Sequence, residues 1–330
     1  MFFALFKTCK NKLVWYNILK VGSMDNIKIA DICGLCSGCK NAISTAIKAQ
    51  KQYGNVTIFK EIVHNPTVNN MLINNGIKYA YFLDDIQPDS TAILRAHGEP
   101  PKTYNYLKIN NINYIDCTCP KVKQIHAQVA KYSKMGYDIV VIGKHGNSTQ
   151  AMHPEVVGTI GWSFSPVIVV ENVNDLPLIS NSSAKNIYLV CQTTFDNTKA
   201  ENLIAKIKNI CTDKQVDLVI DKTICNAQQL IKESSVKLAQ QCDVMVVVGG
   251  KNSSNTQELY KQLIKIKPTI FLQDINLWQQ EFNKNNIRLS PTLKIGITAG
   301  ASTIKQELTT LQKLINKQLD TNFDSQKNNL

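Results

Sequence analysis

Leu218-Val219-Ile220-Asp221-Lys222-Thr223-Ile224-Cys225-Asn226-Ala227-Gln228-Gln229-Leu230-Ile231 joins a short apolar run ending in an acid to a cysteine and then to the start of a helical pattern. The same order occurs twice earlier. Ile27-Lys28-Ile29-Ala30-Asp31 precedes Cys36, and Tyr114-Ile115-Asp116 precedes Cys119. The cysteines are 83 and 106 residues apart, the length of a small domain. After each one, apolar residues recur at helical spacing: Ala42, Ile43, Ala46 and Ile47, then Val122, Ile125 and Val129, then Ala227, Leu230, Ile231 and Leu238. One cysteine per repeat, each at a strand-to-helix turn, predicts three similar units that converge on one centre. Three thiolates at a common point are metal ligands before anything else, and an iron–sulfur cluster with one iron left open suits them best.

A second pattern repeats between the cysteines. Ala92-Ile93-Leu94 leads to Ala96-His97-Gly98, and Ile139 to Ile142 leads to Gly143-Lys144-His145-Gly146-Asn147-Ser148. Val244 to Val248 leads to Gly249-Gly250-Lys251-Asn252-Ser253-Ser254. These are buried-type strands that run into glycine, histidine or hydroxyl loops. Strands alternating with helices imply an α/β fold: three pseudo-repeated units with mainly parallel sheets and helices on both faces. Ligands of such sheets bind beyond the carboxyl ends of the strands, where both the cysteines and the polar loops lie. The boundaries read as an N-terminal extension over 1–24, then units over 25–118 with Cys36, 119–221 with Cys119, and 222–330 with Cys225. The stretch after Gln312 is polar and is expected to fray.

The chain has 330 residues, 44% hydrophobic and 19% charged, enough for a sizeable core. Its ten cysteines lack a secretory signal and do not have the spacing of a small disulfide scaffold, so a reduced, cytoplasmic setting is expected. Of the net charge of +12, four charges (Lys7, Lys10, Lys12 and Lys20) fall before Met24 among Phe2, Phe3, Leu5, Phe6, Trp15 and Tyr16. The apolar runs there are too short for a membrane span, and no cleavage site stands out. Met24 reads as the true start, in preference to an organelle-targeting leader. The remaining positive charge suits an anionic ligand, and equally a solvated basic surface. There is no Walker-type loop and no GxGxxG, so nothing supports a nucleotide-driven reaction.

Cys9, Cys191, Cys211 and Cys242 read as small buried hydrophobes. Cys33, Cys36 and Cys39 form a CxxCxxC run that also resembles a ferredoxin cluster loop. That reading needs a fourth ligand and leaves Cys225 unexplained, whereas the threefold pattern accounts for Cys36, Cys119 and Cys225 together. Of five histidines, His64 in Val63-His64-Asn65-Pro66, His97 in Arg95-Ala96-His97-Gly98 and His153 in His153-Pro154-Glu155-Val156 sit at element ends. Pro154 biases His153 toward extended backbone, and side chains two apart there share a side. His153 and Glu155 can thus line one pocket, a cation-capable group beside a carboxylate, suited to an anion that must also receive a proton. Asn252-Ser253-Ser254-Asn255-Thr256, Thr298-Ala299-Gly300-Ala301-Ser302-Thr303 and Gln192-Thr193-Thr194 are hydroxyl- and amide-rich loops of the kind that cradle phosphate oxygens, or simply cap helices.

Together these motifs resemble the LytB/IspH family of 4-hydroxy-3-methylbut-2-enyl diphosphate reductases of the non-mevalonate isoprenoid pathway. The resemblance runs from about Asn26 to Leu311 and includes Gly34-Leu35-Cys36-Ser37-Gly38, Thr118-Cys119-Pro120, Ile224-Cys225 and Lys251-Asn252-Ser253-Ser254-Asn255. It implies a cloverleaf of three α/β units around one [4Fe–4S] cluster per chain, held by Cys36, Cys119 and Cys225. It implies that His64, His97, His153, Ser253, Asn255 and Ser302, with Ser254 beside them, bind the diphosphate. Glu155 would deliver protons, and Thr193 would link it to the substrate hydroxyl. The implied reaction is reductive dehydroxylation to isopentenyl and dimethylallyl diphosphate, with a reduced ferredoxin or flavodoxin as electron donor and no nucleic acid or membrane partner. A non-catalytic Fe–S protein for redox sensing or nucleic-acid binding, or another Fe–S enzyme such as a dehydratase, are the rival readings. The retained His-Pro-Glu and Asn-Ser-Ser-Asn sets argue against both. The chain departs from the family pattern in a segment inserted at Asn147 to Met152, in Asn226 to Ile231 after the third cysteine, and in Cys33, Cys39 and Cys117 near ligand positions.

Overall fold

The computed structural model describes residues 26–63, 65–147, 151–251, 253–301 and 303–327. The chain begins β1 (Ile27–Ile29), α1 (Ser37–Tyr53), β2 (Val56–Phe59), α2 (Pro66–Asn74), β3 (Lys78–Ala80), β4 (Thr91–Leu94), α3 (Pro101–Ile109) and β5 (Tyr114–Asp116). It continues α4 (Pro120–Lys134), β6 (Asp138–Ile142), α5 (Pro154–Ile160), β7 (Val167–Val170), α6 (Leu176–Ser180), β8 (Asn186–Cys191), α7 (Asn197–Asp213) and β9 (Asp217–Asp221). It ends α8 (Ala227–Ala239), β10 (Val244–Val248), α9 (Ser254–Leu263), β11 (Thr269–Leu272), α10 (Trp278–Lys284), β12 (Ile295–Ala299) and α11 (Lys305–Lys327).

The strands form three four-stranded sheets, ordered β3-β2-β4-β5, β7-β6-β8-β9 and β11-β10-β12-β1 when each is read from the same edge. Every pairing in them is parallel, as a run of strands joined by helices requires. In the first two sheets the order is second, first, third and fourth strand. In the last sheet, the fourth place is taken by β1, which pairs with β12 through Ile27↔Ile295 and Ile29↔Ile297. Sheet membership is therefore displaced by one strand from the cysteine repeat. The strand before each cysteine lies at the edge of one sheet, and the helix after it leads to the next sheet.

Period-2 alternation explains why the central strands are apolar throughout. In β10, Val244, Val246 and Val248 pack with Leu308, Leu311 and Ile315 of α11, while Met245 and Val247 pack on the other face with Ile231, Leu238, Leu259 and Leu263. The other sheets have the same two-sided burial: Ile58 and Ile93 on one face against Phe59 and Leu94 on the other, then Val140 and Leu189 against Val141 and Val190. Strands covered on both faces are what parallel sheets need. In α1 the buried stripe is built from Ala42, Ala46 and Ala49, small enough to bring the helix close to its sheet. Among the described residues, no helix is long and apolar enough to cross a membrane.

Two sequence expectations are corrected here. The polar stretch after Gln312 does not fray from that point, since α11 continues to Lys327. Ile315 is fully buried, Leu314 and Leu319 pack beside it, and Gln312 Nε2 donates to the carbonyl of Ile27 at 2.7 Å. A few apolar residues three and four apart suffice to bury one helical face among polar neighbours. Leu230, which periodicity assigns to the buried face of α8, is 38% exposed, while Ile231 and Leu238 carry the packing. Deleting the buried side chain in Ile315→Ala is expected to cost about 3 kcal/mol in chemical denaturation, whereas Lys317→Ala on the exposed face should change stability by less than ~0.5 kcal/mol.

Candidate active site

Each cysteine of the threefold repeat stands where a helix begins. Cys36 is the N-cap of α1 and Cys119 that of α4, while Cys225 lies one residue before Asn226, the N-cap of α8. Each is also tied to the loop after the third strand of its own sheet. Gly34 N–H donates to Ala299 O at 3.1 Å, and Leu35 N–H to Thr303 O at 2.9 Å. Cys119 N–H donates to Ala96 O at 3.0 Å, and Cys225 N–H to Thr193 O at 2.7 Å. The three partner loops are the ones containing Ser302, His97 and Thr193. The threefold relation read from the cysteines thus extends to the polar loops, and the two kinds of motif share one end of the sheets.

The cysteine helices also touch one another. A Cβ placed on Gly38 in the first turn of α1 would lie 3.4 Å from Cys119 Cβ and 3.5 Å from its Sγ. Lys121 in the first turn of α4 reaches Cys225, with Nζ 3.7 Å from Sγ. Cys36, Cys119 and Cys225 are all half-buried. A hydrogen bond from the Cys39 thiol holds the Cys36 thiol well below its usual pKa, against the opposing effect of burial. The same bond, together with burial, pushes Cys39 well up. Burial also raises Cys33, whose Sγ donates to Ala30 O at 3.2 Å. Of the CxxCxxC run, Cys36 is the thiol whose surroundings favour the thiolate. Burial raises Cys117, Cys191, Cys211 and Cys242, as expected of core cysteines. Cys9 lies outside the described residues. No three His, Cys, Asp or Glu side chains among the described residues are grouped to hold a metal ion. A sulfur donor set spread over three helix starts fits a multi-iron cluster better than one ion.

His153 is the N-cap of α5, and its Nδ1 accepts the Glu155 N–H at 3.2 Å. With Nδ1 as acceptor, the neutral ring carries its hydrogen on Nε2 and offers a donor there. The His97 ring meets His153 edge-on, with centroids 5.6 Å apart. Gly98 makes this turn possible. Its φ is +77°, and a Cβ there would lie 2.5 Å from Cε1 of the buried His126. His126 stacks on Trp162, and burial lowers its pKa to about 4, so it packs as a neutral ring.

Glu155 is 2% exposed. Thr193 N–H donates to its Oε1 at 2.5 Å and Thr193 Oγ1 to its Oε2 at 2.8 Å. Burial pushes its pKa up from the usual carboxylate range to about 7, although both Thr193 bonds favour the anion. Thr193 therefore joins the acid to Cys225 through its own backbone. This chain of contacts is the strongest juxtaposition among the residues singled out from sequence.

The phosphate-type loops are described in part. Ser253 caps α9, and Thr256 N–H and Oγ1 both donate to its Oγ, at 3.4 and 3.0 Å. Asn255 is half-buried in the first turn of that helix, and Ser254 is described by its backbone alone. His64, Asn252 and Ser302 lie outside the described residues, as do residues 148–150 of the inserted segment and the extension over 1–24. Lys144 N–H donates to Gln192 Oε1 at 3.0 Å, and His153 N–H to Lys144 O at 3.0 Å, so the base of the inserted segment is pinned.

The residues to which sequence reasoning gave no individual role are supporting ones. Asn65 caps α2 beside His64, with Oδ1 accepting from Thr67 N–H at 2.9 Å; an Asn before Pro was the available signal. Thr256 packs where a Cβ on Gly300 would stand, and Lys121 gave no sequence signal at all.

The family model described as LytB protein matches residues 27–316. The chain belongs to the LytB family. One relative, the 4-hydroxy-3-methylbut-2-enyl diphosphate reductase of Clostridioides difficile (strain 630), is 34% identical over 294 residues, covering 88% of this chain and all of the relative. The enzyme of that name from Aquifex aeolicus (strain VF5) is 33% identical over 305 residues, covering 90% of this chain and 99% of the relative. Among solved structures, an (E)-4-hydroxy-3-methyl-but-2-enyl diphosphate reductase, described as the terminal enzyme of the non-mevalonate pathway, aligns with a TM-score of 0.69 at 31% identity, over 88% of this chain and 99% of that one. The E-1-hydroxy-2-methyl-but-2-enyl-4-diphosphate reductase of Plasmodium falciparum aligns with a TM-score of 0.72 at 28% identity, over 87% of each. The α/β arrangement of three parallel sheets is the LytB fold.

Two predictions come from this geometry. Anaerobically reconstituted Cys36→Ser, Cys119→Ser and Cys225→Ser are expected to lose most bound iron, with Cys33→Ser and Cys39→Ser keeping it. Iron loss confined to the CxxCxxC positions would favour the ferredoxin-like reading. The second concerns Glu155, whose folded pKa is raised to about 7. A raised carboxyl stabilises the fold below its unfolded pKa, and that contribution fades as pH climbs through the folded value. Between about pH 4.5 and 7, wild type should lose roughly 3 kcal/mol relative to Glu155→Gln, by denaturation at a series of pH values.

Proposed function

We propose that this chain is a 4-hydroxy-3-methylbut-2-enyl diphosphate reductase. The observation that carries the reading is the buried pair Glu155–Thr193, set against Cys225 by the Cys225 N–H to Thr193 O hydrogen bond. A neutral-range acid next to a thiol centre suits a reaction that reduces a bond and protonates its leaving oxygen. Here two electrons and two protons release the allylic hydroxyl as water and leave isopentenyl or dimethylallyl diphosphate. A [4Fe–4S] cluster, held by Cys36, Cys119 and Cys225, supplies the electrons and Lewis acidity when bound.

The chain's own residues do the rest. His153 offers Nε2–H to the diphosphate because its Nδ1 is engaged by the Glu155 N–H. His97, packed edge-on against it, offers a second ring, and His64, Ser253, Ser254, Asn255 and Ser302 complete the anion site. Held at this remote end, the substrate places its hydroxyl without further entropy loss, so binding energy serves the reacting end. Protonated Glu155 donates to Thr193 Oγ1, and the threonine hydroxyl passes its own hydrogen to the leaving oxygen. With a pKa near 7 the carboxyl is half protonated at neutral pH, which suits a general acid that must be recharged at each turnover.

A reduced ferredoxin or flavodoxin is the proposed electron donor, and a reducing, cytoplasmic setting agrees with described cysteines that are all free of disulfides. The proposed repeat boundaries are 25–118, 119–221 and 222–330, with 1–24 as an extension. Glu155→Gln keeps the size of the side chain and removes the acid. It is expected to retain iron and bind the diphosphate, while turnover driven by dithionite and a viologen falls at least about 10²-fold. Near-normal turnover with full iron content would remove Glu155 from the mechanism, and loss of iron would make its role structural.

A further inference from the structure

Arg95 and Glu99 bracket His97, and both are charged groups removed from water, with side chains 6% and 3% exposed. Arg95 Nε donates to Glu99 Oε1 at 3.0 Å, closing the turn Arg95-Ala96-His97-Gly98-Glu99 across its base. Inside the same turn, Gly98 N–H donates to Arg95 O at 3.2 Å. A buried ion pair is a weak source of stability, because taking two charges out of water offsets most of their attraction. Stability alone therefore does not account for a buried pair at the base of a histidine turn.

A second strand end meets the same carboxylate. Phe59 of β2 pairs with Leu94 of β4, so Lys60 and Arg95 are the next residues on adjacent parallel strands. Lys60 Nζ lies 3.9 Å from Glu99 Oε2. Its backbone is left-handed, with φ +61°, an unfavourable conformation for a residue with a Cβ, and its N–H donates to Ala80 O at 2.7 Å. Each oxygen of the Glu99 carboxylate thus faces one cation. Arg95 is from the strand that leads to His97, and Lys60 from the strand that leads to His64. Burial lowers the pKa of both cations, and Glu99 opposes that effect. The second unit clamps the turn from the other side. Trp162 Nε1 donates to Glu99 O at 3.1 Å, Cys119 N–H donates to Ala96 O at 3.0 Å, and a Cβ on Gly158 of α5 would stand 2.9 Å from Gly98 O. Between these holds stands His97, its ring against that of His153.

We propose that Glu99 is a positioning residue for diphosphate binding: its carboxylate, gripped by Arg95 and Lys60, sets the turn that aims His97 at the anion. The proposal rests on the reductase reading, in which His97 binds the diphosphate. Glu99 acts through His97 and does not itself hold the anion. Its own charge repels a diphosphate, so electrostatics by itself would make removal of that charge tighten anion binding. Positioning makes the same removal weaken it, because His97 loses its aim. The two effects have opposite signs. A merely structural role differs from both, since it would lower stability and leave the affinity of the folded protein unchanged.

The test uses the cluster-loaded full chain under anaerobic conditions, with inorganic pyrophosphate as the binding probe and viologen-driven turnover measured beside it. Glu99→Ala should weaken the pyrophosphate Kd by about tenfold or more, and KM for the allylic diphosphate should rise in step. Its kcat should stay within about threefold of wild type, the mark of lost binding rather than lost chemistry. Glu99→Gln, which keeps an acceptor for Arg95 Nε, should recover most of the affinity. Arg95→Met combined with Glu99→Leu fills the same space without charge, so the fold and iron content should hold while pyrophosphate binds as weakly as in Glu99→Ala. Glu201→Gln, which breaks the exposed 2.6 Å ion pair with Lys222, is the charge-matched control and should bind as wild type does. Unchanged or tighter pyrophosphate binding in any iron-replete variant lacking the Arg95–Glu99 pair overturns the proposal. Absence of viologen-driven turnover in wild type would sink the reductase reading instead, and the pyrophosphate affinities would still judge the clamp.

Discussion

The structure depends on backbone hydrogen bonds that hang each cysteine loop from a neighbouring strand end. Gly34 bonds to Ala299, Cys119 to Ala96 and Cys225 to Thr193. A buried N–H must find an acceptor, and here each does so in the loop that also carries a substrate-type side chain. Thiol groups and polar groups are therefore fixed to a common frame. A shift of one moves the other.

Burial does most of the electrostatic tuning on that frame, and it acts in opposite senses on different groups. It keeps Cys33 and Cys117 protonated and His126 neutral. It also raises Glu155 into the range where a carboxylic acid is useful at neutral pH. The pKa of Cys36 is lowered by a hydrogen bond from the Cys39 thiol, by the N–H groups of Cys39 and Gly38, and by Lys40, whereas burial raises Cys33 and the bond to Cys36 raises Cys39.

Much of this was legible in the chain itself. The acid-terminated apolar run before Cys36, Cys119 and Cys225 encodes an edge strand, a turn and a helix start, all local. The two-sided apolar strands encode parallel sheets. His153 and Glu155 were expected to pair across extended backbone, but only His153 is extended: Pro154 and Glu155 open α5, and the contact is the cap from Glu155 N–H to His153 Nδ1. Other features depend on distant contacts. The partner of Ile27–Ile29 is Ile295–Ile297, and no local pattern shows that β1 completes the last sheet. The helix through Ile315 was hidden by polar neighbours whose exposed face needs no apolar residue. Leu230 follows the helical period of the core, yet it is left 38% exposed. Lys121 looks like any surface lysine until α4 is placed beside Cys225.

The place of β1 has a consequence for how the protein is made. A ribosome adds about 5–20 residues per second, and early segments fold first when their partners are already present. The sheet of β2 to β5 and the sheet of β6 to β9 each have all their strands within one continuous stretch. The sheet containing β1 does not, because its neighbour β12 ends at Ala299. β1 therefore stays unpaired until nearly the whole chain has emerged, although Leu35 and α1 beyond it can pack on the first sheet much earlier. The backbone ties of Gly34 and Leu35 to Ala299 and Thr303 thus form last, and the join between the first and last segments is a property of the finished polypeptide.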